Sequence, residues 1–386
     1  MQERTLPPSH QLIPLEYPQT GWSLRRKRHG KQVFITREAN QFLLNLNDYQ
    51  KNEVYRALSK IVAEGGYGLS SGGLKTRPMA MRSKTDAIAA AGILNLVYSV
   101  NSEKIVVNAI GLNKSVLGSM PVASKERAAL YEINRKTSVR YSETSSTSDI
   151  EKLEGAWGRP KVVVEVNTDH AAVNGMQNDL EKARWLMGVH VDTAYWGDNL
   201  NRYTLFHNPT VGFVQDVFEC IQDKVGASKI ARQLASILVD CQRKGRKVKW
   251  VCHSQGGIIF TRAVELVNGM GVTLEGQKVA IHAGGNKKQR AKDAFVMAGL
   301  EIVDIDRDSP FDFVPNLAGG NNWSWSSLRR CYKFARMIIS SNNPMETSPH
   351  TLPFLSLECS IRLLQMNGYE KKAKMVIQEQ SRLGQC

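Results

Sequence analysis

The fold of this chain is constrained most by a regular alternation that begins at Lys161, in which short apolar segments are separated by longer amphipathic ones. The short segments are rich in β-branched residues and predict strands, while the longer ones space their apolar residues at helical intervals and predict helices. Strands that alternate with helices favour a mostly parallel sheet covered on both faces. We therefore predict an α/β fold with a doubly wound, mostly parallel sheet.

Five strands are predicted in this part of the chain: K-V-V-V-E-V, V-H-V-D-T-A-Y, K-V-K-W-V-C, K-V-A-I-H-A and G-L-E-I-V-D-I-D. Helices are predicted over N-D-L-E-K-A-R-W-L-M, over most of 213–243, after Gly256-Gly257 and over K-Q-R-A-K-D-A-F-V-M-A. Elements of these lengths are typical of a doubly wound sheet.

The first 150 residues are organised differently. They predict a helix over 47–64 and a hairpin from Leu94 to Ile110, which together indicate a small α+β unit. The polar segment S-E-T-S-S-T-S-D after Tyr141 is typical of a linker. The predicted domains are a basic extended arm over 1–30, a small α+β domain over 31–135, a linker over 136–158, the α/β domain over 159–375 and a tail over 376–386.

The net charge of +15 is unevenly distributed, because residues 1–150 contain 21 Lys and Arg against 12 Asp and Glu. A basic N-terminal part favours an anionic partner, and both an anionic membrane surface and a nucleic acid meet that description. We expect the membrane surface rather than nucleic acid, because the chain contains no nucleic-acid recognition motif.

The cysteines and the N-terminus bear on the compartment. The six cysteines, at 220, 241, 252, 331, 359 and 386, form no C-x-x-C pair, so we expect free thiols rather than disulfides or a zinc site. The first residues contain no apolar core of a secretory signal, and no apolar segment reaches the roughly 18 residues of a membrane span. We expect synthesis in the cytoplasm without a Sec signal, and a signal-independent route if the protein is exported.

The segment V-K-W-V-C-H-S-Q-G-G-I-I-F, residues 248–260, predicts a sharp turn from a strand into a helix at Ser254. A serine at such a turn is held above the sheet in a strained conformation, and small neighbours are needed where the two backbones crowd. Gly256 meets that need, while Cys252 is slightly larger than the usual glycine. The segment thus predicts a nucleophilic serine, with a simple helix cap as the alternative.

A serine nucleophile of this kind requires an acid and then a histidine later in the chain. His350 is the only histidine after residue 282, so it is the predicted base. The acid is Asp312 or Asp308, and we favour Asp312 because it follows the last predicted strand in a loop that can reach His350. Asp304 and Asp306 fall within that strand or at its end, where structural roles are expected.

Two other histidines lie near the predicted nucleophile. His253 adjoins Ser254, but neighbouring side chains at such a turn point apart, so packing or substrate lining is expected. His282 ends the neighbouring strand and is predicted to be buried and hydrogen-bonded. Neither H-x-x-x-H nor a carboxylate cluster is present, so no metal and no cofactor are expected.

Five motifs together resemble bacterial α/β-hydrolase domains of the lipase and esterase kind, which occur in secreted effectors and polymorphic toxins. They are N-G-M-Q-N-D (174–179), F-H-N-P-T-V-G-F-V-Q-D (206–216), C-H-S-Q-G-G-I-I-F (252–260), D-F-V-P-N-L-A-G (312–319) and S-P-H-T-L-P-F (348–354). The resemblance covers about residues 160–360 and excludes the first 150. It implies Ser254 as nucleophile, His350 as base and Asp312 as acid.

The resemblance also implies an oxyanion hole made by the backbone N–H of Gln255 and that of Gly175 or Met176. An ordinary turn is the alternative for Asn174-Gly175, and turn chemistry is the expectation for the F-H-N-P-T segment. Trp323 and Trp325 lie between acid and base and predict either an aromatic flap over the site or ordinary core packing.

The expected function is hydrolysis of carboxylic esters through an acyl-enzyme, with lipid or phospholipid esters favoured by the resemblance and the basic charge. Such a protein would have a delivery partner or an immunity partner. Two other classes stay open: a binding protein on a hydrolase scaffold, and a protein whose basic N-terminal domain binds nucleic acid.

Overall fold

The computed structural model describes residues 12–15, 32–63, 87–100, 104–112, 129–140, 147–175, 179–208, 229–339, 350–351, 361, 364–365 and 368–382. The chain divides into two compact units, Met1–Ala123 and Ser124–Cys386. No helix within the described ranges is long and apolar enough to cross a membrane.

The first unit contains a five-stranded mixed sheet. Its strands are β1 (Leu12–Pro14), β2 (Gln32–Thr36), β3 (Ala87–Ala91), β4 (Leu94–Val100) and β5 (Lys104–Leu112), in the order β1-β2-β5-β4-β3. Strands β2 and β5 are parallel, and the other neighbours are antiparallel. The predicted hairpin is confirmed as β4–β5.

In the described part of this unit, β2 is followed by α1 (Arg37–Asn45) and α2 (Asp48–Ala63). Helix α1 begins where the Thr36 hydroxyl accepts a hydrogen bond from the Ala39 N–H at 3.3 Å. Helix α2 buries Val54, Leu58 and Ile61 on one face, which confirms the helix predicted over 47–64.

The second unit is built on a seven-stranded, mostly parallel sheet. Its strands are β6 (Ala129–Asn134), β7 (Lys161–Val163), β8 (His170–Val173), β9 (Arg202–His207), β10 (Lys249–His253), β11 (Lys278–His282) and β12 (Glu301–Arg307). The order is β12-β11-β10-β8-β9-β6-β7. The first five strands are parallel to one another, and β6 is antiparallel to both of its neighbours, β9 and β7.

The helices in the described part of this unit are α3 (Thr147–Gly155), α4 (Leu180–Ala194), α5 (Lys229–Arg243), α6 (Gln255–Gly269), α7 (Lys288–Met297), α8 (Trp325–Ile339) and α9 (Glu370–Arg382), with a π-helical turn at Val314–Ala318. Both faces of the sheet are covered. Trp250 and Cys252 of β10 pack into the core that α5 and α6 complete, whereas Val251 packs into the core on the α4 side. Alternation of side chains along β10 therefore serves two cores, as expected for a sheet buried on both faces.

Two of the five strand predictions need correction. V-H-V-D-T-A-Y lies in the second half of α4, where Val189 and Val191 are buried, so its β-branched residues did not decide its structure. The strand predicted at K-V-V-V-E-V is shorter in the structure and covers Lys161–Val163. Strands β8 and β9 are not predicted from the sequence. The other three strands and the helix after Gly256-Gly257 are confirmed.

The domain boundary also differs from the prediction. Strand β6, assigned to the N-terminal domain, pairs with β9 in the second sheet. The predicted linker contains α3, and Leu153, Ala156 and Trp157 are buried in the core on the α4 side. The predicted tail continues α9, whose Val376 is buried. The polar composition of 142–149 predicts a linker, but the apolar residues a few positions later, Leu153, Ala156 and Trp157, are buried in the core.

The turn from β10 into α6 is crowded at Gly256. A Cβ atom built there would lie 2.3 Å from the backbone oxygen of Val173 in β8. We predict that Gly256→Ala lowers the free energy of unfolding by about 1–3 kcal/mol, because backbone must move to admit the methyl group.

Gly269 at the end of the same helix is the matched control, since a Cβ there meets nothing within 4 Å. Gly269→Ala should not lower the free energy of unfolding and should raise it by up to about 1 kcal/mol. Urea unfolding of both variants tests the prediction, and an equal effect at the two glycines would contradict it.

Candidate active site

Ser254 occupies the strand-to-helix turn in a conformation that is rare for a residue with a side chain. Its φ is 57° and its ψ is −123°. Ser254 stands at the N-cap position of α6, but its hydroxyl makes no capping hydrogen bond, so capping does not account for the side chain. The backbone is held on both sides, because the Ser254 N–H donates to His282 O at 3.2 Å and the Ser254 carbonyl accepts from the Gly285 N–H at 3.0 Å. The serine is therefore buried and fixed, with its hydroxyl directed away from the helix.

His350 joins Ser254 to Asp312. Its Nε2 lies 2.9 Å from the Ser254 Oγ, and its Nδ1 lies 2.8 Å from the Asp312 Oδ2. An ionised carboxylate only accepts hydrogen bonds, so Asp312 selects the tautomer with the proton on Nδ1. Nε2 is then free to accept the serine proton. The structure thus brings the three residues into one hydrogen-bonded chain.

Asp312 is locked in place by its own loop. It is buried, and its second oxygen accepts the Val314 N–H at 2.9 Å as the π-helical turn begins. The Asn316 side chain donates to the Asp312 carbonyl at 2.7 Å and to Ser309 O at 2.8 Å. The carboxylate therefore cannot rotate away from His350 without breaking the turn.

Asp308, the alternative acid, is engaged elsewhere. Its Oδ1 accepts from Lys288 Nζ at 2.8 Å. Burial raises the pKa of Asp308, opposed by the hydrogen bond and charge of Lys288. Asp306 likewise pairs with Lys288 and Lys292. Of the carboxylates weighed from the sequence, Asp312 is the one bonded to His350.

Two of the three predicted oxyanion residues lie beside Ser254. Gln255 is the first residue of α6, so its N–H has no intrahelical acceptor. Gly175 approaches the serine so closely that an added Cβ would lie 2.4 Å from the Ser254 Cβ and 3.0 Å from its Oγ. Met176 lies outside the described residues.

A buried network of amides links the turns after β8, β9 and β10. The Asn174 side chain donates to Gly175 O at 2.9 Å and to Asn208 O at 3.1 Å, and its oxygen accepts the Asn208 N–H at 2.7 Å. The Asn208 side chain in turn donates to the Gln255 side-chain oxygen at 2.9 Å. Asn174 and Asn208 therefore have partners beyond an ordinary turn. Pro209 and Thr210 of the same motif lie outside the described residues.

Three further histidines, His190, His253 and His282, form a cluster next to His350. The imidazole rings of His190 and His253 stack with their centroids 4.6 Å apart, and His190 Nδ1 lies 3.0 Å from His282 Nδ1. His282 is buried and hydrogen-bonded, as predicted, and His253 is buried against His190, in agreement with the packing role expected for it. The sequence does not single out His190, because its segment is predicted as a strand and is in fact the second half of α4. Among the described residues, no group of three or more His, Cys, Asp or Glu is arranged to hold a metal ion.

Burial keeps these imidazoles neutral. It lowers the pKa of His190 and of His253 well below the usual value, and neighbouring imidazoles lower both further. It lowers the pKa of His282 to about 3, with a smaller contribution from Arg307.

Trp323 and Trp325 are exposed, at 75% and 86%, so core packing does not explain them. The three described cysteines, Cys241, Cys252 and Cys331, are free and buried, as expected for reduced thiols.

The site can move a proton from a serine to a histidine that a buried carboxylate orients. That is the chemistry by which a hydroxyl becomes a nucleophile toward a carbonyl carbon. Comparison with known proteins found no matching family model, no similar curated protein and no similar solved structure.

The neutral histidines predict a stability that declines in mild acid. The pKa values of these histidines in the folded protein lie below the unfolded value of about 6.5. Between the two values the unfolded chain therefore binds protons that the folded protein does not bind. The contribution is fully present above about pH 6.5 and is lost as the pH falls toward the folded pKa, at up to about 1.4 kcal/mol per pH unit for each histidine.

His282→Asn tests this expectation, because it removes one of these groups. Urea unfolding between about pH 7.5 and pH 5.5 should show a shallower loss in the variant than in the wild type, by up to about 1.4 kcal/mol per pH unit. Parallel pH dependences would contradict it.

Proposed function

We propose that this protein is a serine hydrolase that cleaves carboxylic esters through an acyl-enzyme intermediate. The observation that carries the proposal is the unbroken chain of hydrogen bonds from the Ser254 Oγ through His350 to a buried Asp312. Its members come from separate segments of the chain, so a local turn motif does not account for their meeting. The strained conformation of Ser254 adds support, because such strain is characteristic of functional sites.

In the proposed reaction His350 takes the Ser254 proton as the serine oxygen attacks the ester carbonyl. Asp312 stabilises the imidazolium that forms. The backbone N–H groups of Gln255 and Gly175 are the proposed donors to the oxyanion, positioned by the Asn174–Asn208 amide network. His350 then gives the proton to the leaving alkoxide, and water releases the acyl group by the reverse sequence.

The proposed fold family is the α/β-hydrolase family. The strand order supports it, since the proposed nucleophile follows β10 in the middle of the parallel strands and the acid follows β12 at their edge. We further propose an effector or toxin role, with a delivery or immunity partner, on the motif resemblance alone.

Lipid esters are the proposed substrates. The exposed face of α8 supports this preference: Trp325, Arg329, Tyr332 and Lys333 lie at helical spacing on it, and Trp325 and Tyr332 are 86% and 67% exposed. Aromatic and basic side chains in combination suit the interface of an anionic membrane. Cys331 of the same helix contacts the Asp312 carbonyl, so the helix that carries this surface lies against the loop of the proposed acid.

We predict that Ser254→Ala lowers esterase activity by at least about 10⁴-fold while the protein still unfolds cooperatively, because the residue acts in the chemistry. Hydrolysis of p-nitrophenyl butyrate and labelling by a fluorophosphonate measure the effect, with Ser59→Ala in the first unit as the control. His350→Ala should be equally damaging. Near wild-type activity in Ser254→Ala would end the proposal.

The substrate class is tested by mass spectrometry of a phospholipid extract incubated with wild type or Ser254→Ala. Release of fatty acid by the wild type alone supports a lipid ester. Cleavage of the butyrate ester without any lipid hydrolysis would restrict the proposal to small esters.

The acid is predicted to be Asp312. Asp312→Asn should lower turnover by about 10³- to 10⁴-fold, since the amide no longer selects the correct His350 tautomer. Asp308→Asn breaks an ion pair with Lys288 and should stay within about tenfold of the wild type. The opposite ranking of kcat values would move the assignment to Asp308.

A further inference from the structure

His253 makes a contact that the triad chemistry does not use. It ends β10, immediately before Ser254, and its Nε2 lies 2.7 Å from the backbone oxygen of His350. A carbonyl oxygen only accepts, so His253 donates from Nε2. Its tautomer is therefore fixed with the proton on Nε2. The Nδ1 atom is buried and has no hydrogen-bond partner in the described part of the chain.

The His253 ring contacts two other imidazoles. The His190 ring stacks on it with an interplanar angle of 24°, and the His350 ring lies with its centroid 4.9 Å away. His190 is in turn fixed against His282. The His253 donor thus has little freedom to turn away from His350.

The side-chain bonds of His350 to Ser254 and Asp312 orient its ring, whereas the bond from His253 is made to its main chain. We propose that His253 is a positioning residue that holds the His350 backbone at the correct distance from Ser254. Ser254 and His253 are consecutive, so one short segment sets the position of the nucleophile and of the base. This inference rests on the proposed function.

A neutral donor suits this place better than a cation. His350 becomes an imidazolium during the proposed reaction, and a charge on the adjacent ring would oppose that step. Burial and the nearby His350 keep the His253 imidazole uncharged, consistent with the bond to a carbonyl.

The matched variants are His253→Gln and His253→Asn, both neutral and polar. The Gln amide nitrogen is as many bonds from Cα as Nε2 of histidine and can reach the His350 carbonyl. The Asn amide nitrogen corresponds to Nδ1 and cannot. With p-nitrophenyl butyrate, we expect kcat to fall about 100-fold in His253→Asn with KM unchanged, and to stay within about tenfold of wild type in His253→Gln.

Equal kcat values in the Gln and Asn variants would overturn the proposal, because the placement of the donor would then not matter. Each variant must first show a cooperative melting transition. If His253→Asn does not, His253→Phe replaces it, since it keeps a ring and has no donor.

To distinguish a general structural role of His253 from the positioning of His350, His253→Asn is repeated in a His350→Ala background. Without an imidazole to position, His253→Asn should cause no further loss of the residual activity. The same 100-fold loss in both backgrounds would overturn the proposal.

A measurement without substrate keeps this inference distinct from the proposed function. The proton on His350 Nδ1, bonded to Asp312, should give a low-field NMR resonance in the wild type and in His253→Gln and lose it in His253→Asn. Its persistence in His253→Asn would overturn the positioning role. If the wild type neither cleaves the ester nor reacts with a fluorophosphonate, the proposed function fails, and the resonance alone decides whether His253 positions His350.

Discussion

The site depends on the close approach of two backbone segments, one at the carboxyl end of β8 and one at the carboxyl end of β10. Gly256 packs on the Val173 carbonyl, and Gly175 packs on Ser254, at distances that exclude any side chain. This crowding holds Ser254 in a conformation that an isolated chain would avoid. Buried residues of β8 and β10 belong to the cores on both faces of the sheet, and those of α6 to one of them, so packing of these elements offsets the strain at Ser254.

The residues of the site are held in place in different ways. Ser254, Gln255 and His253 belong to one strand–helix junction between two cores, whereas Asp312 is fixed by its own π-helical turn and His350 by contacts of its ring and carbonyl. His350 bonds to Ser254 and His253 at the junction and to Asp312 in the π-helical turn, so the geometry of the base depends on the relative placement of these segments.

The sequence predicted the parts of this arrangement that depend on local rules. The Ser254 turn, three strands of the parallel sheet and the pairing of Asp312 with His350 followed from small residues, β-branched runs and chain order. It could not predict that the segment around Val189 is helical, because burial against the sheet outweighs β-branched preference there. Nor could it reveal the Asn208 bond to Gln255 or the His253 bond to the His350 carbonyl, which join residues distant in the chain and depend on tertiary placement.

Cys252 lies two residues before Ser254 in the same strand, and Cys331 packs against the Asp312 carbonyl. Both thiols are buried, and burial raises their pKa, most strongly for Cys252. Thiolate, the reactive form, is therefore scarce at neutral pH beside a serine whose proton has a ready acceptor. With Ser254 in its proposed role, an electrophile at this site would meet one activated oxygen and two unreactive sulfurs, and the protein would react with reagents that modify hydroxyl groups in preference to those that alkylate thiols.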